Sequence, residues 1–256
     1  MRIFGKTSIR SALAVASIFF VSVPVARGDF GELGWQASRY RYDEPELMHL
    51  SGFRGGLVGA YTFERGDVFH RIELRASYGQ LRYEGSGVQE GVPDFLAEAR
   101  WVIGKRLDRK LSPAPYAGVG YRYLFSDLRG FTSTGAVGYR RFANYLYAPI
   151  GVSWRMPARG AWTLAPSIEW DFLLRGRQIT RLSDTGLGNT DVTNTQTSGY
   201  GYRLTAMFEN GTWSWGPWLH YWNIKDSDVQ PIGMGQSGME PANHTLEFGL
   251  EIRRRF

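Results

Sequence analysis

From His244 to Phe256 the chain alternates. Leu246, Phe248, Leu250 and Ile252 fall on one face, and Glu247, Gly249, Glu251 and Arg253 on the other. A repeat of two belongs to a β-strand, whose successive side chains point to opposite sides of the sheet; a helix would space its apolar residues three and four apart. The pattern recurs along the chain: Arg71, Glu73 and Arg75 against Ile72, Leu74 and Ala76, Glu98 and Arg100 against Ala97, Ala99 and Trp101, Glu169 and Asp171 against Ile168, Trp170 and Phe172. Ten such segments are predicted, at about 31–42, 51–64, 68–83, 95–103, 114–125, 139–155, 162–174, 199–209, 213–224 and 244–256. The stretches between them alternate in length. Tight turns such as Arg65-Gly66-Asp67 and Asn210-Gly211, the latter suited to a type I′ hairpin, take turns with longer polar runs at 43–50, 84–93, 127–138, 175–198 and 225–243. In the first segment Tyr40 and Tyr42 fall opposite Leu33, Trp35 and Ala37, so either a bulge shifts the phase or the face changes character near the rim.

Residues 1–28 carry Arg2, Lys6 and Arg10, then an apolar run to Val25, then Ala26-Arg27-Gly28, the pattern of a cleaved signal peptide. Its four basic side chains lower the chain's 30 to 26, against 24 acidic ones. The basicity therefore sits mostly in the leader, and a nucleic-acid partner loses its compositional support. No second apolar run reaches helix-spanning length, so a membrane protein of this sequence must cross as a closed barrel, in which every backbone group is paired. Nine Trp, 14 Tyr and 15 Phe are more aromatic residues than a soluble domain usually needs, and suit the interfacial girdles of such a barrel. With no cysteine, disulfide staples and thiolate metal sites are excluded.

A greasy closing strand that ends on Phe256 resembles the last strand of bacterial outer-membrane β-barrels. The resemblance implies one all-β domain over 29–256. It would be a single antiparallel up-and-down transmembrane barrel of ten strands in a Gram-negative outer membrane, with short periplasmic turns and five longer extracellular loops. It also implies that Phe256 is read by the barrel-assembly machinery, and that outer-membrane lipids, lipopolysaccharide among them, surround the protein. A soluble sandwich or lipocalin-like barrel would turn the same faces the other way. If the oily faces meet lipid, Arg71, Glu73, Arg75, Glu98, Arg100, Arg122, Glu169, Asp171, Arg203 and Glu251 point into the lumen, where near-balanced charge predicts ion pairs filling the space.

The favoured expectation for function is non-enzymatic: a structural, surface-binding or minor solute-passage role, with oligomeric state left open and no cofactor or metal expected. Asp226-Ser227-Asp228 and the 184–194 segment lack EF-hand spacing and read as solvated loop acids. Arg175, Arg177, Arg181 and Lys225 are candidates to meet lipopolysaccharide phosphates. The runner-up rests on His49-Leu50-Ser51, similar to the His-x-Ser pair of outer-membrane acyl hydrolases. That similarity makes Ser51 the nucleophile and His49 its base, with Asp43 or Glu44 to orient the ring. The strand count also matches the omptin proteases, whose site needs an Asp-x-His unit that this sequence lacks.

Overall fold

The computed structural model describes residues 28–108, 111–233 and 235–256. The leader expected at 1–28 lies, except for Gly28, outside them. Ten long strands form the wall: β1 Phe30–Glu44, β2 Met48–Arg65, β3 Val68–Glu84, β4 Val88–Lys105, β5 Ala114–Asp127, β6 Arg140–Ser153, β7 Thr163–Thr180, β8 Gly199–Glu209, β9 Trp213–Ile224 and β10 Asn243–Arg255. Each pairs antiparallel with its neighbours in sequence, and β10 pairs back onto β1. The sheet therefore has no free edge in its wall, the condition that lipid imposes on backbone N–H and C=O groups.

The closing seam runs unbroken from Glu32 opposite Arg255 to Asp43 opposite His244. At its lower end Gly31 and Phe256 exchange two backbone hydrogen bonds, of 2.9 and 3.0 Å. Gly34 is needed for the close approach: a Cβ there would fall on the carbonyl oxygen of Ile252 across the seam.

The strands are longer than the alternation indicates, and the outer loops correspondingly shorter. Residues 45–47 and 85–87 are tight turns instead of the loops expected at 43–50 and 84–93. β7 continues to Thr180 through a bulge opposite Leu146 and Tyr147, and a further strand, Val192–Gln196, pairs with its end. Inside 225–243 a small hairpin pairs Val229–Gly233 with Gln236–Met239. Three long connections remain on this rim, 128–139, 181–198 and 225–242. On the opposite rim 66–67 and 210–212 are tight, while 106–113 and 154–162 are longer.

No bulge explains Tyr40 and Tyr42, because β1 keeps perfect register with both neighbours. The faces exchange chemistry instead. In the lower part of β1, Leu33 and Trp35 point outward and Glu32 and Gln36 inward; above Ala37 the outward residues are Arg39, Arg41 and Asp43, and Tyr40 is buried inside. β3 does the same, with Ile72, Leu74 and Tyr78 outside against Arg71, Glu73 and Arg75, then Arg82 outside against buried Leu81. β2 passes from exposed Phe53 to Ser51 and His49, β10 from Leu246 to His244. One cylinder therefore holds two environments stacked end to end. The lower is inverted, oily outside and charged inside, as lipid requires; the upper is built as a water-exposed barrel, apolar inside. Trp35 (68% exposed), Phe53 (70%) and Leu250 (62%) belong to the lipid-facing band, while Asp171 (0%) and Glu169 (2%) are shut inside.

Candidate functional site

All ten expected lumen residues line the interior of the lower and middle barrel. Arg203, buried, meets three carboxylates: Glu98 (Nη1 to Oε2, 2.9 Å), Asp171 (Nε to Oδ2, 2.9 Å) and Glu169 (Nε to Oε1, 3.0 Å). Tyr147 donates to Glu98 at 2.8 Å. Arg100 bridges Glu73 and Glu169, Arg71 bridges Glu73 (2.8 Å) and Glu32, and Arg253 reaches Glu251 at 2.8 Å. Arg75 donates to Glu247 at 3.0 Å and to His220 Nδ1 at 2.8 Å. Arg122 is buried without an acid within ion-pair distance among the described residues, its guanidinium 5.6 Å from the centre of the Trp222 ring. Alternation alone did not show the partners Glu32 and Asp94; Asp94 pairs with buried Arg54 and accepts from Ser126 at 2.7 Å.

Above this ionic layer apolar side chains enter the lumen and pack around the buried Arg54–Asp94 pair, Arg122, Gln178 and Thr245. Leu50, Leu81, Val92, Leu96, Leu124, Tyr145, Tyr147, Leu173, Trp222 and Ile224 pack into one buried cluster across the bore. Trp222 lies edge-on to Tyr147 at 5.2 Å and stacks with Tyr145 at 6.4 Å. Ion pairs thus line the lower and middle barrel, and in the upper part Arg54–Asp94 and Arg141 with Glu44 and Glu240 accompany the apolar cluster. The upper part holds an apolar stopper, because there the wall stands in water and the hydrophobic effect draws side chains inward.

Over the stopper, Arg141 from β6 meets two carboxylates at once, Glu44 from β1 and Glu240 from the loop before β10, and donates to the Tyr42 hydroxyl at 3.1 Å. Burial and the neighbouring Glu44 push the Glu240 carboxyl up to about 7, against the pull of Arg141. The folded chain therefore holds this proton more tightly than the unfolded one, and stability falls as pH rises from the ordinary carboxylate range to about 7. The melting temperature in detergent is expected to be higher at pH 5.5 than at pH 8, and Glu240→Gln should flatten this slope; an unchanged slope would remove Glu240 as its source. Elsewhere on the loops, the acids weighed as calcium ligands are occupied. The hydrogen bond from Arg140 holds Asp184 down to about 2, Asp191 takes Arg181 at 2.6 Å, and Asp228 accepts from the Thr195 N–H at 2.6 Å.

The outer face of the upper barrel carries His49 and Ser51. Both point outward on β2, one and two pleats beyond Phe53. Neither expected orienter serves the ring. Asp43 is engaged by Arg41 (2.7 Å) and stands 3.5 Å from His244, and Glu44 faces the lumen on Arg141, since adjacent residues of a strand point to opposite sides. The partner is Glu84, directly across on β3: His49 Nε2 donates to its Oε2 at 2.6 Å. Arg82 also binds Glu84 and reaches Glu90. Arg175 and Arg177 point outward past the β7 bulge, exposed and without a salt-bridge acid among the described residues, whereas Arg181 is paired and Lys225 stands apart at the end of β9. Phe256 is 63% exposed at the lower rim, where Gly31 leaves room for its ring.

No protein-family model matches the chain. No curated protein sequence matches it either. Solved structures do. The outer-membrane protease OmpT of Escherichia coli overlays with a TM-score of 0.53 at 7% identity, over 89% of this chain and 96% of that one. The β-domain of the Bordetella autotransporter BrkA (0.43; 11% identity; 89% and 99%) and the Neisseria surface protein NspA (0.37; 9%; 88% and 97%) overlay less closely. At such identities the likeness is one of fold. Together with an apolar band outside and buried charge inside, it shows that this chain has the fold of an outer-membrane β-barrel, a closed antiparallel cylinder of ten strands.

Proposed function

We propose that the protein is a non-conducting barrel that acts through its outer surface. The observation that carries this reading is the stopper of Leu, Tyr and Trp side chains across the upper bore, roofed by Arg141, Glu44 and Glu240. An ion crossing it would have to shed its water in a packed layer made mostly of apolar side chains. Reconstituted in a planar bilayer, the refolded protein is expected to show no stable unitary current; steady openings in the unmodified protein would overturn the proposal. The exposed Arg175 and Arg177 would meet phosphates of lipopolysaccharide at the outer leaflet, and the exposed Phe256 would be the handle for the assembly machinery.

A second reading, acyl hydrolysis at the outer rim, gains support from the His49–Glu84 hydrogen bond. Glu84 would fix the tautomer of His49, which would take the Ser51 hydroxyl proton as Oγ attacks a lipid ester and return it to the departing alkoxide. With Ser51 one pleat above the exposed Phe53, the site would stand near the edge of the lipid-facing band, within reach of an acyl ester of the outer leaflet. Refolded protein given phospholipid or lipid A would then release fatty acid, and Ser51→Ala would abolish that release, with Glu84→Gln lowering it on the order of a hundredfold. No release above a blank ends this reading.

A further inference from the structure

At its lower end β10 runs Ile252, Arg253, Arg254, Arg255, and the alternation of the strand turns Arg253 and Arg255 to the lumen and Arg254 outward. Arg254 is exposed. Along the chain it lies between Ile252 and the exposed Phe256; across the sheet it stands opposite Trp213 of β9 and Leu33 of β1. The rung above is apolar throughout, with Phe208, Trp215, Ile252 and Trp35 following one another around the wall. Phe208 stacks on Trp215 at 5.0 Å, and Trp162 meets the same indole edge-on at 6.4 Å. One guanidinium is thus set in a frame of lipid-facing aromatic and aliphatic side chains.

No carboxylate answers its charge. Arg254 has no acid within ion-pair distance among the described residues, and the acids of this rim are spent elsewhere. Glu209 takes Arg155 at 2.9 Å and Glu32 takes Arg255 at 3.0 Å, all four lining the lumen, while Asp29 takes Arg65 at 2.8 Å. A guanidinium cannot escape by giving up its proton, and an uncompensated one at the edge of lipid is costly.

We infer that Arg254, framed by Trp213, Trp215 and Phe256, is a binding site for the headgroup phosphate of an anionic phospholipid in the periplasmic leaflet. The phosphodiester supplies the missing charge, and the planar fork of N–H donors suits two of its oxygens. Each indole brings an N–H for a phosphate or ester oxygen and an apolar ring for the acyl chains, which lie against the rung of Phe208, Trp215, Ile252 and Trp35. A zwitterionic lipid carries its own ammonium, which competes with Arg254 for the phosphate, so a lipid of net negative charge is preferred.

The test uses the refolded full chain in phosphatidylcholine vesicles that contain a rising share of brominated phosphatidylglycerol or, separately, brominated phosphatidylcholine, with quenching of tryptophan fluorescence as the readout. Phosphatidylglycerol is expected to associate on the order of fivefold more strongly, and Arg254→Gln to bring the two lipids to parity. Lys105→Gln, which removes the exposed cation at the end of β4, four strands away around the wall, should leave the preference intact. Parity in the unmodified protein overturns the inference, as does a preference that survives in Arg254→Gln or vanishes in Lys105→Gln. A preference lost in Arg175→Gln and kept in Arg254→Gln would put the lipid at the upper rim and overturn it too. Salt makes the same test without a variant: an exposed pair of guanidinium and phosphate is screened, so the preference should shrink as salt is added, and a preference indifferent to salt overturns the inference.

Discussion

Arg203→Met is expected to lower the stability of the barrel by about 3–5 kcal/mol, read as a shift of the urea midpoint for the refolded protein in detergent micelles. Arg203 sits among Glu98, Glu169 and Asp171 in the ionic layer, all four almost fully shielded from solvent. Removing the guanidinium leaves three carboxylates facing one another with only Arg100, Arg75 and the Tyr147 hydroxyl to answer them. Ionised, they repel; protonated, they lose the hydrogen bonds that the layer was built on. Adding Glu98→Gln to Arg203→Met should recover part of the loss, because one of the stranded charges goes with it. A loss below about 1 kcal/mol in the single variant would mean that the layer is wet and screened, and that its charges are surface-like in all but position.

Trp222→Ala is expected to do two things at once. Truncating a buried indole that packs against Tyr145 and Tyr147 should cost about 3–5 kcal/mol, by lost transfer free energy and by the cavity left behind. It should also breach the stopper, so that current absent from the unmodified protein appears in planar bilayers; Trp222→Phe should restore most of the stability and the seal. If Trp222→Ala folds and remains silent, the ionic layer below is itself an adequate barrier.

The ten strands and their antiparallel order were legible in the sequence because, within the bilayer, wall residues meet either lipid or the lumen, and the contrast between the two writes a period of two. The strand ends were not, for the reason that explains Tyr40 and Tyr42. Above Ala37 the outer face meets water and the inner face packs on itself, so the sign of the pattern reverses while the backbone continues unchanged. Read for one sign only, the reversed pleats look like loop, as do Gly176 to Thr180 in β7. Composition alone likewise points the aromatic excess wholly to girdles, although Tyr145, Tyr147 and Trp222 lie inside. The reversal is nonetheless present as a signal, in β1 as Arg39 and Arg41 alternating with tyrosines, and in β3 as Arg82 beside Leu81. At the rim, the sequence marks His49 and Ser51 but points to Asp43 and Glu44 for their partner. Glu84 lies 35 residues away along the chain and becomes a neighbour only through the β2–β3 register.

The seam between β1 and β10 has a consequence for how the protein is made. Ser38 and Glu247, hydrogen-bonded across it, are 209 positions apart, so the ring closes through the most distant pairing that the chain offers. Any growing or partly threaded polypeptide is therefore an open ribbon with two unsatisfied borders, and no stretch of it can complete a cylinder early. Until β10 meets β1 the ribbon must be kept from pairing with its copies, and it is that one pairing which turns it into a molecule that lipid will accept.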